Sequence, residues 1–148
     1  LLLHREGMLL LYANPAHTEF WLQKRSPDKE HFPNKWTLGV TFHVDPEDVT
    51  SDDVWGYLTG ASREAKEEVG VEIANLEIVI KTTIETAKNR AMVAIMVAEA
   101  LNDPTPDTVE VSEVKRFNRE SVMEVLPDLT PAALVCLKLL GIIEELHE

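Results

Sequence analysis

Short apolar runs separated by polar, proline-containing stretches make up most of the chain and predict strands. The runs share a high content of apolar, β-branched or aromatic side chains, and they predict strands at 8–12, 20–24, 36–44, 76–83, 91–98 and 111–117. Asn14 and Pro15 lie between the first two runs and predict a hairpin. Polar residues at 87–90 predict a turn, and two prolines within 102–107 predict a loop.

One segment has the period of a helix. The apolar residues Val54, Leu58, Ala61 and Ala65 are spaced by four, three and four positions, which is the spacing of one face of an amphipathic helix. We therefore expect these side chains to form a single stripe that faces the core.

The residues at both ends of this segment predict its bounds. Thr50 or Ser51 can cap the first turn, where Asp52 and Asp53 would lie favourably at the positive end of the helix dipole. Gly70 is a typical C-terminal stop. We therefore expect a helix from about residue 51 to about residue 69.

Two helices are predicted near the C-terminus. Asn118 can cap a short helix that runs through 125, and Thr130 followed by Pro131 is typical of the start of a helix, here running to about 145. Strands and helices are thus interspersed along the chain. This order predicts an α/β fold in which a mixed sheet is covered by helices on its faces.

Length and charge limit the classes of function. The chain has 148 residues, which is enough for one hydrophobic core, and we expect a single domain over 1–148. The 14 Lys and Arg against 26 Asp and Glu give a net charge of −12, which argues against a nucleic-acid groove or an anionic membrane surface as partner. No apolar run reaches the roughly 20 residues of a membrane span.

The single cysteine indicates the compartment. Cys136 cannot form an internal disulfide, and the first residues lack the features of a signal peptide, so we expect a cytoplasmic protein. An acidic protein can still bind a small phosphorylated metabolite when divalent cations lie between the two sets of negative charge.

Three glutamates of the predicted helix point to such a cation site. At about 100° per residue, Glu64, Glu67 and Glu68 share one arc of the helix, apart from the apolar stripe. Their mutual repulsion would become coordination on binding Mg²⁺ or Mn²⁺, which prefer oxygen ligands. Gly60 lies one turn earlier on this face and would leave room for a ligand. The alternative is an ordinary solvated, charge-rich surface.

The order of residues around these glutamates is more specific than their presence. Arg-Glu, two residues, Glu-Glu, one residue, Gly and an aliphatic residue closely resembles the second half of the Nudix box, the metal-binding signature of the Nudix hydrolase superfamily. The matching positions are Arg63, Glu64, Glu67, Glu68, Gly70 and Val71. The flanks are also similar to family members, at 22–26, Lys29, 32–33, Trp36, 113–117 and 129–131.

The resemblance implies a fold, an activity and a set of roles. It implies the Nudix α/β/α sandwich and an Mg²⁺-dependent pyrophosphohydrolase that cleaves a diphosphate linkage in a nucleoside diphosphate joined to another moiety. Glu64, Glu67 and Glu68 would be the ligands of Mg²⁺ or Mn²⁺, Arg63 would orient the catalytic glutamates, and Glu67 or Glu68 would be the base. Gly70 would allow the turn out of the helix.

The first half of the box departs from the family pattern. Its glycine and its first glutamate would fall on Val49 and Trp55. A longer loop after Trp36 would explain this, with Thr41 near the place of the glycine. The acidic residues of that loop are the candidates for the missing carboxylate: Asp45, Glu47 and Asp48.

Two other functions remain open. The flanking segments resemble the isopentenyl diphosphate isomerase branch, in which a metal-binding histidine lies at the distance that separates His43 from Trp36. Thr41, however, takes the place of that branch's catalytic cysteine, and its Glu-x-Glu ligands have no counterpart around 89–93. A threonine hydroxyl is a poor proton donor, so we favour hydrolysis. A binding module with a degenerate box is the other alternative.

Further residues have a functional and a structural interpretation each. Lys24 and Arg25 can meet substrate phosphates or be surface charges, and Phe32 and Trp36 can stack on a base or pack in the core. A buried structural thiol is the favoured interpretation of Cys136. Two acidic residues outside the box can supply a base or lie on a turn surface: Glu110 and Glu113.

Overall fold

The protein is described by a computed structural model that covers residues 3–85, 90–107 and 109–144. The strands found in these residues are β1 (Leu3–Tyr12), β2 (Glu19–Arg25), β3 (Trp36–Leu38), β4 (Val40–His43), β5 (Ile73–Glu85), β6 (Arg90–Ala100) and β7 (Val111–Asn118). The α-helices found there are α1 (Tyr57–Val69) and α2 (Pro131–Leu139), and two 3-10 helices lie at Pro46–Asp48 and Ser121–Asp128.

All of these strands belong to one mixed sheet with β1 at its centre. The strand order is β3-β2-β1-β6-β5, with β4 pairing with β1 and β7 pairing with β2. β1 and β6 are parallel from Leu3 opposite Arg90 to Tyr12 opposite Glu99, and the other pairs are antiparallel. The central strand therefore contacts β2, β4 and β6, and its residues Leu9, Leu10 and Leu11 are fully buried.

Each face of the sheet is covered by a helix. On one face α1 packs Tyr57, Ala61 and Ala65 against buried side chains of β1, β4 and β6. On the other face α2 packs Ala133 and Leu137 against buried residues of β1, β2 and β3. The predicted α/β/α sandwich with a mixed sheet is confirmed.

The strand predicted at 36–44 is in fact two strands. Gly39 separates them, and a Cβ atom there would lie 2.9 Å from Leu11 Cγ, so this backbone passes directly over the Leu11 side chain. On either side of Gly39 the pairing changes, because β3 pairs with β2 and β4 pairs with β1. Of the turn predicted at 87–90, residues 87–89 lie outside the described residues, and Arg90 already belongs to β6.

Helix α1 begins six residues later than the sequence predicts. Instead of capping a helix, Thr50 Oγ1 accepts a hydrogen bond from Asp53 N at 3.0 Å within a turn. The helix starts after Gly56, whose φ of 79° is strained for residues with a side chain. Asp53 still satisfies a free helical amide, since its Oδ2 accepts from Thr59 N at 2.7 Å.

The late start also changes the apolar stripe. Val54 and Leu58 are exposed, whereas Ala61 and Ala65 are buried as predicted. Tyr57 takes the missing place at the start of the stripe and is fully buried, with its hydroxyl donating to Met92 O at 2.5 Å. An aromatic residue with a polar tip was therefore a core residue that the apolar spacing did not reveal.

The two C-terminal helices differ from the prediction in type or in length. The short helix expected through 125 is a 3-10 helix over Ser121–Asp128, preceded by Asn118, whose Oδ1 accepts hydrogen bonds from Glu120 N and Ser121 N. Thr130 caps α2 as expected, because its Oγ1 accepts from Ala133 N at 3.1 Å, but the helix ends at Leu139 and not near 145. Gly141 has a φ of 74° and turns the chain back, so that Ile142 is buried in the core. Within the described residues, no helix has the length and apolar character needed to span a membrane.

The ring of Phe42 fills the gap between the sheet and α1. A Cβ atom on Gly7 would overlap this ring, and one on Gly60 would lie 2.7 Å from Phe42 Cε2 and 3.0 Å from Asp48 Oδ2. Gly60 therefore makes room for Phe42 and Asp48, and the prediction that it leaves room for a ligand is wrong. Two residues without side chains thus let the helix approach the sheet closely.

The close contact of Gly60 with Phe42 and Asp48 predicts the effect of adding one methyl group at position 60. Gly→Ala in a helix normally stabilises by about 1 kcal/mol, but we expect Gly60→Ala to lower the free energy of unfolding by roughly 1 to 3 kcal/mol because the core is overpacked. Urea denaturation measures this change. Ser62→Ala, on the exposed side of α1, is the control and should leave stability unchanged or slightly higher. An increase for Gly60→Ala would contradict the packing described above.

Candidate active site

A cleft of about 660 Å³ opens beside α1. One wall carries carboxylates of α1, and another is formed by β2 and the loop that follows it, which contribute basic and aromatic side chains. The residues that the chemistry below uses are Arg25, Lys29, Phe32, Glu64, Glu67 and Glu68. This volume is typical of small-molecule sites.

The helix geometry brings the three predicted glutamates to this cleft. With Ala61 and Ala65 buried against the sheet, the neighbouring arc of α1 borders the opening, and all three glutamates line it. Glu67 is largely exposed, whereas Glu64 and Glu68 are half-buried. The shared arc deduced from the sequence is therefore present in the structure.

Arg63 joins two of these glutamates to the loop before the helix. Its Nη1 donates to Glu64 Oε1 at 2.6 Å and to Glu67 Oε2 at 3.3 Å. Its Nε and Nη2 donate to the two oxygens of Asp48 at 2.9 and 2.8 Å. The same Nη2 lies 3.2 Å from Asp45 Oδ2. One guanidinium therefore organises four carboxylates, and its planar shape makes the pair with Asp48 bidentate.

Among the loop acids, Asp48 is the one that is buried. It is 1% exposed, and its Oδ2 also accepts from Asp45 N at 2.9 Å. The Arg63 hydrogen bond holds the pKa of Asp48 below its usual range. Asp48 thus occupies the position opposite Arg63, while Glu47 makes no recorded ion pair in the described part of the chain. The longer loop expected from the sequence is present.

Glu68 is held by a different partner. Gln23 Nε2 donates to Glu68 Oε1 at 2.6 Å and to Gly39 O at 3.1 Å, and its side chain is buried. Burial is the main reason that the pKa of Glu68 is raised to about 7, and the negative charges of Glu64 and Glu110 raise it further. The hydrogen bond from Gln23 acts in the opposite direction and lowers this pKa. Sequence reasoning missed Gln23, and the available signal was a polar residue inside an apolar strand.

The three carboxylates do not form a ready-made metal cage. Glu64 and Glu67 turn toward Arg63, and Glu68 turns toward Gln23. Across residues 3–85, 90–107 and 109–144, no group of three or more His, Cys, Asp or Glu side chains is arranged to hold a metal ion. What the structure provides is a set of hard oxygen donors along one wall of the cleft.

The cations predicted to meet phosphates have separate positions. Arg25 and Lys29 line the cleft, and Lys29 forms an ion pair with Glu110, which also lines it. Lys24 instead lies over the ring of Trp36, at 5.8 Å from its centroid. Arg25 and Lys29 are thus the basic residues that face the carboxylate wall.

The remaining candidates divide between cleft and core. Thr41 and His43 line the cleft, and Phe32 does so with half of its surface exposed. Trp36 is 7% exposed and packs edge-on against Phe117, so its core interpretation is correct.

Glu113 and Cys136 lie outside the described lining of the cleft. Glu113 lies on β7 opposite Lys24 of β2. Cys136 is buried, with its Sγ 3.4 Å from Met8 Sδ, and burial raises the pKa of its thiol to about 11. Its predicted structural role agrees with this environment.

Comparison with known proteins places the chain in a family. The family model described as the NUDIX domain matches residues 3–140. The NUDIX domain of Shewanella oneidensis NrtR, solved with ADP ribose, is 17% identical over 95% of this chain and 86% of its own, with a TM-score of 0.69. The MutT NUDIX hydrolase of Burkholderia pseudomallei is 17% identical over 93% of this chain and 98% of its own, with a TM-score of 0.68.

A third solved structure has the same fold. DR0079 of Deinococcus radiodurans is 18% identical over 91% of this chain and 82% of its own, with a TM-score of 0.68. Among curated proteins, no sequence matches. Because the family model covers nearly the whole chain, the protein belongs to the Nudix family, and the predicted enzyme class of Nudix pyrophosphohydrolase follows from that membership.

Proposed function

We propose that this protein is a Mg²⁺- or Mn²⁺-dependent hydrolase that cleaves a diphosphate linkage in a nucleoside diphosphate joined to another moiety. The observation that carries the proposal is the composition of one cleft, in which the glutamates of α1 face Arg25 and Lys29. Carboxylates suit a divalent cation, and the two basic side chains suit phosphate oxygens. Binding and cleavage of a diphosphate that joins two organic groups require both a divalent cation and basic side chains.

The donor set fits a divalent cation. Carboxylate oxygens are the ligands that Mg²⁺ prefers, and we assign Glu64, Glu67 and Glu68 as its ligands. Burial is the main cause of the raised pKa of Glu68, and the charges of Glu64 and Glu110 add to it, so a bound cation would favour the ionised form of this carboxyl group. When bound, the metal would neutralise diphosphate oxygens and lower the pKa of a water molecule.

The protein's own groups supply orientation and a base. We assign Glu67 or Glu68 as the acceptor of the proton from the attacking water. Glu68 is the better held of the two, since Gln23 fixes one of its oxygens and Gly39 O in turn orients the Gln23 amide. Arg63 is a positioning residue, because its hydrogen bonds to Glu64 and Glu67 hold both side chains beside the cleft.

The proposed substrate class has support outside the site itself. A related NUDIX domain binds ADP ribose, which is a nucleoside diphosphate joined to a sugar. A protein of net charge −12 would need cations to bind such an anion, so chelation should abolish turnover. The location in the cytoplasm and the lack of nucleic-acid or membrane partners stay predictions.

The isomerase alternative is less well supported. Thr41, which takes the sequence position of that branch's catalytic cysteine, lines the cleft. Allylic isomerisation needs a group that protonates carbon, and a threonine hydroxyl is a poor acid for that step. Hydrolysis makes no such demand on this position.

Removal of a single carboxylate charge should separate catalysis from folding. We expect Glu67→Gln or Glu68→Gln to lower turnover by at least about a hundredfold, because a base or metal ligand is lost. Phosphate-product release is measured with Mg²⁺ and Mn²⁺ on nucleoside diphosphate sugars, ADP-ribose, dNTPs and dinucleoside polyphosphates. Glu124→Gln, an exposed residue of the 3-10 helix Ser121–Asp128, is the matched control and should retain wild-type turnover.

Two results would contradict the assignment. Full activity in both variants would locate the base elsewhere, with Glu110 the next residue to test because it lines the same cleft. Conversion of isopentenyl diphosphate to dimethylallyl diphosphate by the wild-type protein would favour the isomerase branch.

The metal ligands can be located directly. In crystals soaked with Mn²⁺, we expect anomalous density within about 2.0 to 2.4 Å of oxygens from at least two of Glu64, Glu67 and Glu68. Crystals of Glu64→Gln, soaked in the same way, should show lower occupancy. Anomalous density at carboxylates away from the cleft, with none near α1, would refute the ligand set.

The Asp48–Arg63 pair predicts a pH-dependent stability. Because Arg63 lowers the pKa of Asp48 in the folded state, the pair stabilises the protein above the unfolded-state pKa of about 3.9, and this contribution is lost as the pH falls through the folded-state pKa. We expect Asp48→Asn to lower the free energy of unfolding at pH 7 by roughly 1 to 3 kcal/mol. Urea denaturation should show this difference shrinking below about pH 4.

Asp52→Asn is the control for this pH series, since Asp52 is an exposed carboxylate of the same loop. Its stability should follow that of the wild-type protein at every pH. A constant difference between Asp48→Asn and wild type from pH 7 to pH 2 would show that Asp48 does not act through its charge.

A further inference from the structure

The loop between β2 and β3 presents an aromatic ring to the cleft. Phe32 lines the cleft and is 51% exposed, although burial of a phenyl ring is favourable. The other phenyl ring among the described lining residues, Phe42, is enclosed between Gly7 and Gly60. Phe32 is therefore the phenyl ring in the described lining with a surface free for a ligand.

The backbone at this ring is strained. Phe32 has a φ of 50° and Asn34 a φ of 61°, a left-handed conformation that bulky side chains rarely adopt. Such strain persists only where surrounding contacts maintain it, and it is frequent at ligand sites. A glycine would fit this backbone without strain, so the phenyl ring at position 32 is not explained by the loop conformation.

Hydrogen bonds to Arg25 hold the loop in this shape. Arg25 Nε donates to His31 O at 3.0 Å, just before the ring. Asn34 N donates to Arg25 O at 3.2 Å, and Arg25 N donates to Lys35 O at 2.8 Å. The residues on both sides of Phe32 are thus tied to the end of β2, and the ring is presented at a defined place beside Arg25.

We propose that Phe32 is the platform on which the nucleobase of the substrate stacks. The inference rests on the proposed function and adds an orientation to it. Since Arg25 is hydrogen-bonded to the residue before the ring, the nucleoside half lies at the β2–β3 loop, and the other moiety occupies the rest of the cleft, whose lining includes Glu6 and His43. Stacking on a phenyl ring tolerates different bases, because each base has a flat π surface.

Binding of product-like ligands tests the platform without requiring catalysis. AMP and ribose 5-phosphate carry the same sugar phosphate, and only AMP has a base. We expect Phe32→Ala and Phe32→Gly to weaken AMP binding by roughly 5- to 150-fold, the range for loss of one stacked base, and to change ribose 5-phosphate binding less than about twofold. Phe32→Tyr should keep AMP affinity. Dissociation constants are measured by NMR titration.

Two controls separate stacking from loop damage. Trp55→Ala removes another exposed aromatic, 42% exposed and outside the described lining of the cleft, and should leave both dissociation constants unchanged. Phe32→Gly keeps a residue that adopts positive φ, so its unfolding temperature should equal or exceed that of wild type. Equal weakening of AMP and ribose 5-phosphate, or no difference between the two ligands in the wild-type protein, would overturn the proposal.

The platform and the proposed activity can fail separately. If the wild-type protein hydrolyses no compound of the panel but AMP binding still depends on Phe32, the hydrolase is refuted and the platform stands. If nucleoside diphosphate compounds are hydrolysed and Phe32→Ala leaves KM unchanged, the platform is refuted and the hydrolase stands. If both proposals are correct, the KM of Phe32→Ala exceeds that of the wild-type protein by the same factor as the dissociation constant for AMP. Its kcat stays within about threefold of the wild-type value.

Discussion

The bidentate ion pair between Arg63 and Asp48 is the contact on which the rest of the site depends. Asp48 is buried under the start of α1, so its charge requires a partner, and Arg63 meets that need with two hydrogen bonds. The remaining nitrogen of the guanidinium is then directed at Glu64 and Glu67. A contact that stabilises the loop therefore also determines where two glutamates point.

Close packing between α1 and the sheet makes this ion pair possible. Asp48 Oδ2 lies near the backbone of Gly60, in the same gap that the Phe42 ring fills. A side chain at Gly60 would push the helix away from both, and the site would lose its buried carboxylate. The geometry of the charged cluster thus depends on an apolar contact on the inner side of the helix.

The sequence predicted features that depend on neighbouring residues. The shared arc of Glu64, Glu67 and Glu68 follows from helical periodicity alone, and Thr130 has the local chemistry of a cap. The predicted start of α1 was wrong. Thr50 and Gly56 can each precede the first turn of a helix, and the choice between them depends on burial of Tyr57. Local helix propensity does not include this contribution from tertiary packing.

Contacts between distant residues were beyond the sequence pattern. Gln23 of β2 and Glu68 of α1 are 45 positions apart, and the tertiary fold brings their side chains within 2.6 Å of each other. The exposure of Phe32 likewise depends on how its loop folds back onto Arg25. For the missing carboxylate of the box, the sequence narrowed the candidates to three acidic residues, of which Asp48 is the buried one.

The loop that carries Asp48 also bears on how such a site can change over time. Its carboxylate lies 15 residues before Arg63, where the family pattern has a separation of eight. The entropic cost of closing a loop rises only with the logarithm of the loop's length, so this lengthening costs on the order of 0.6 kcal/mol. The segment between β4 and α1 can therefore lengthen and reshape the rim of the cleft while a buried carboxylate within it still anchors Arg63.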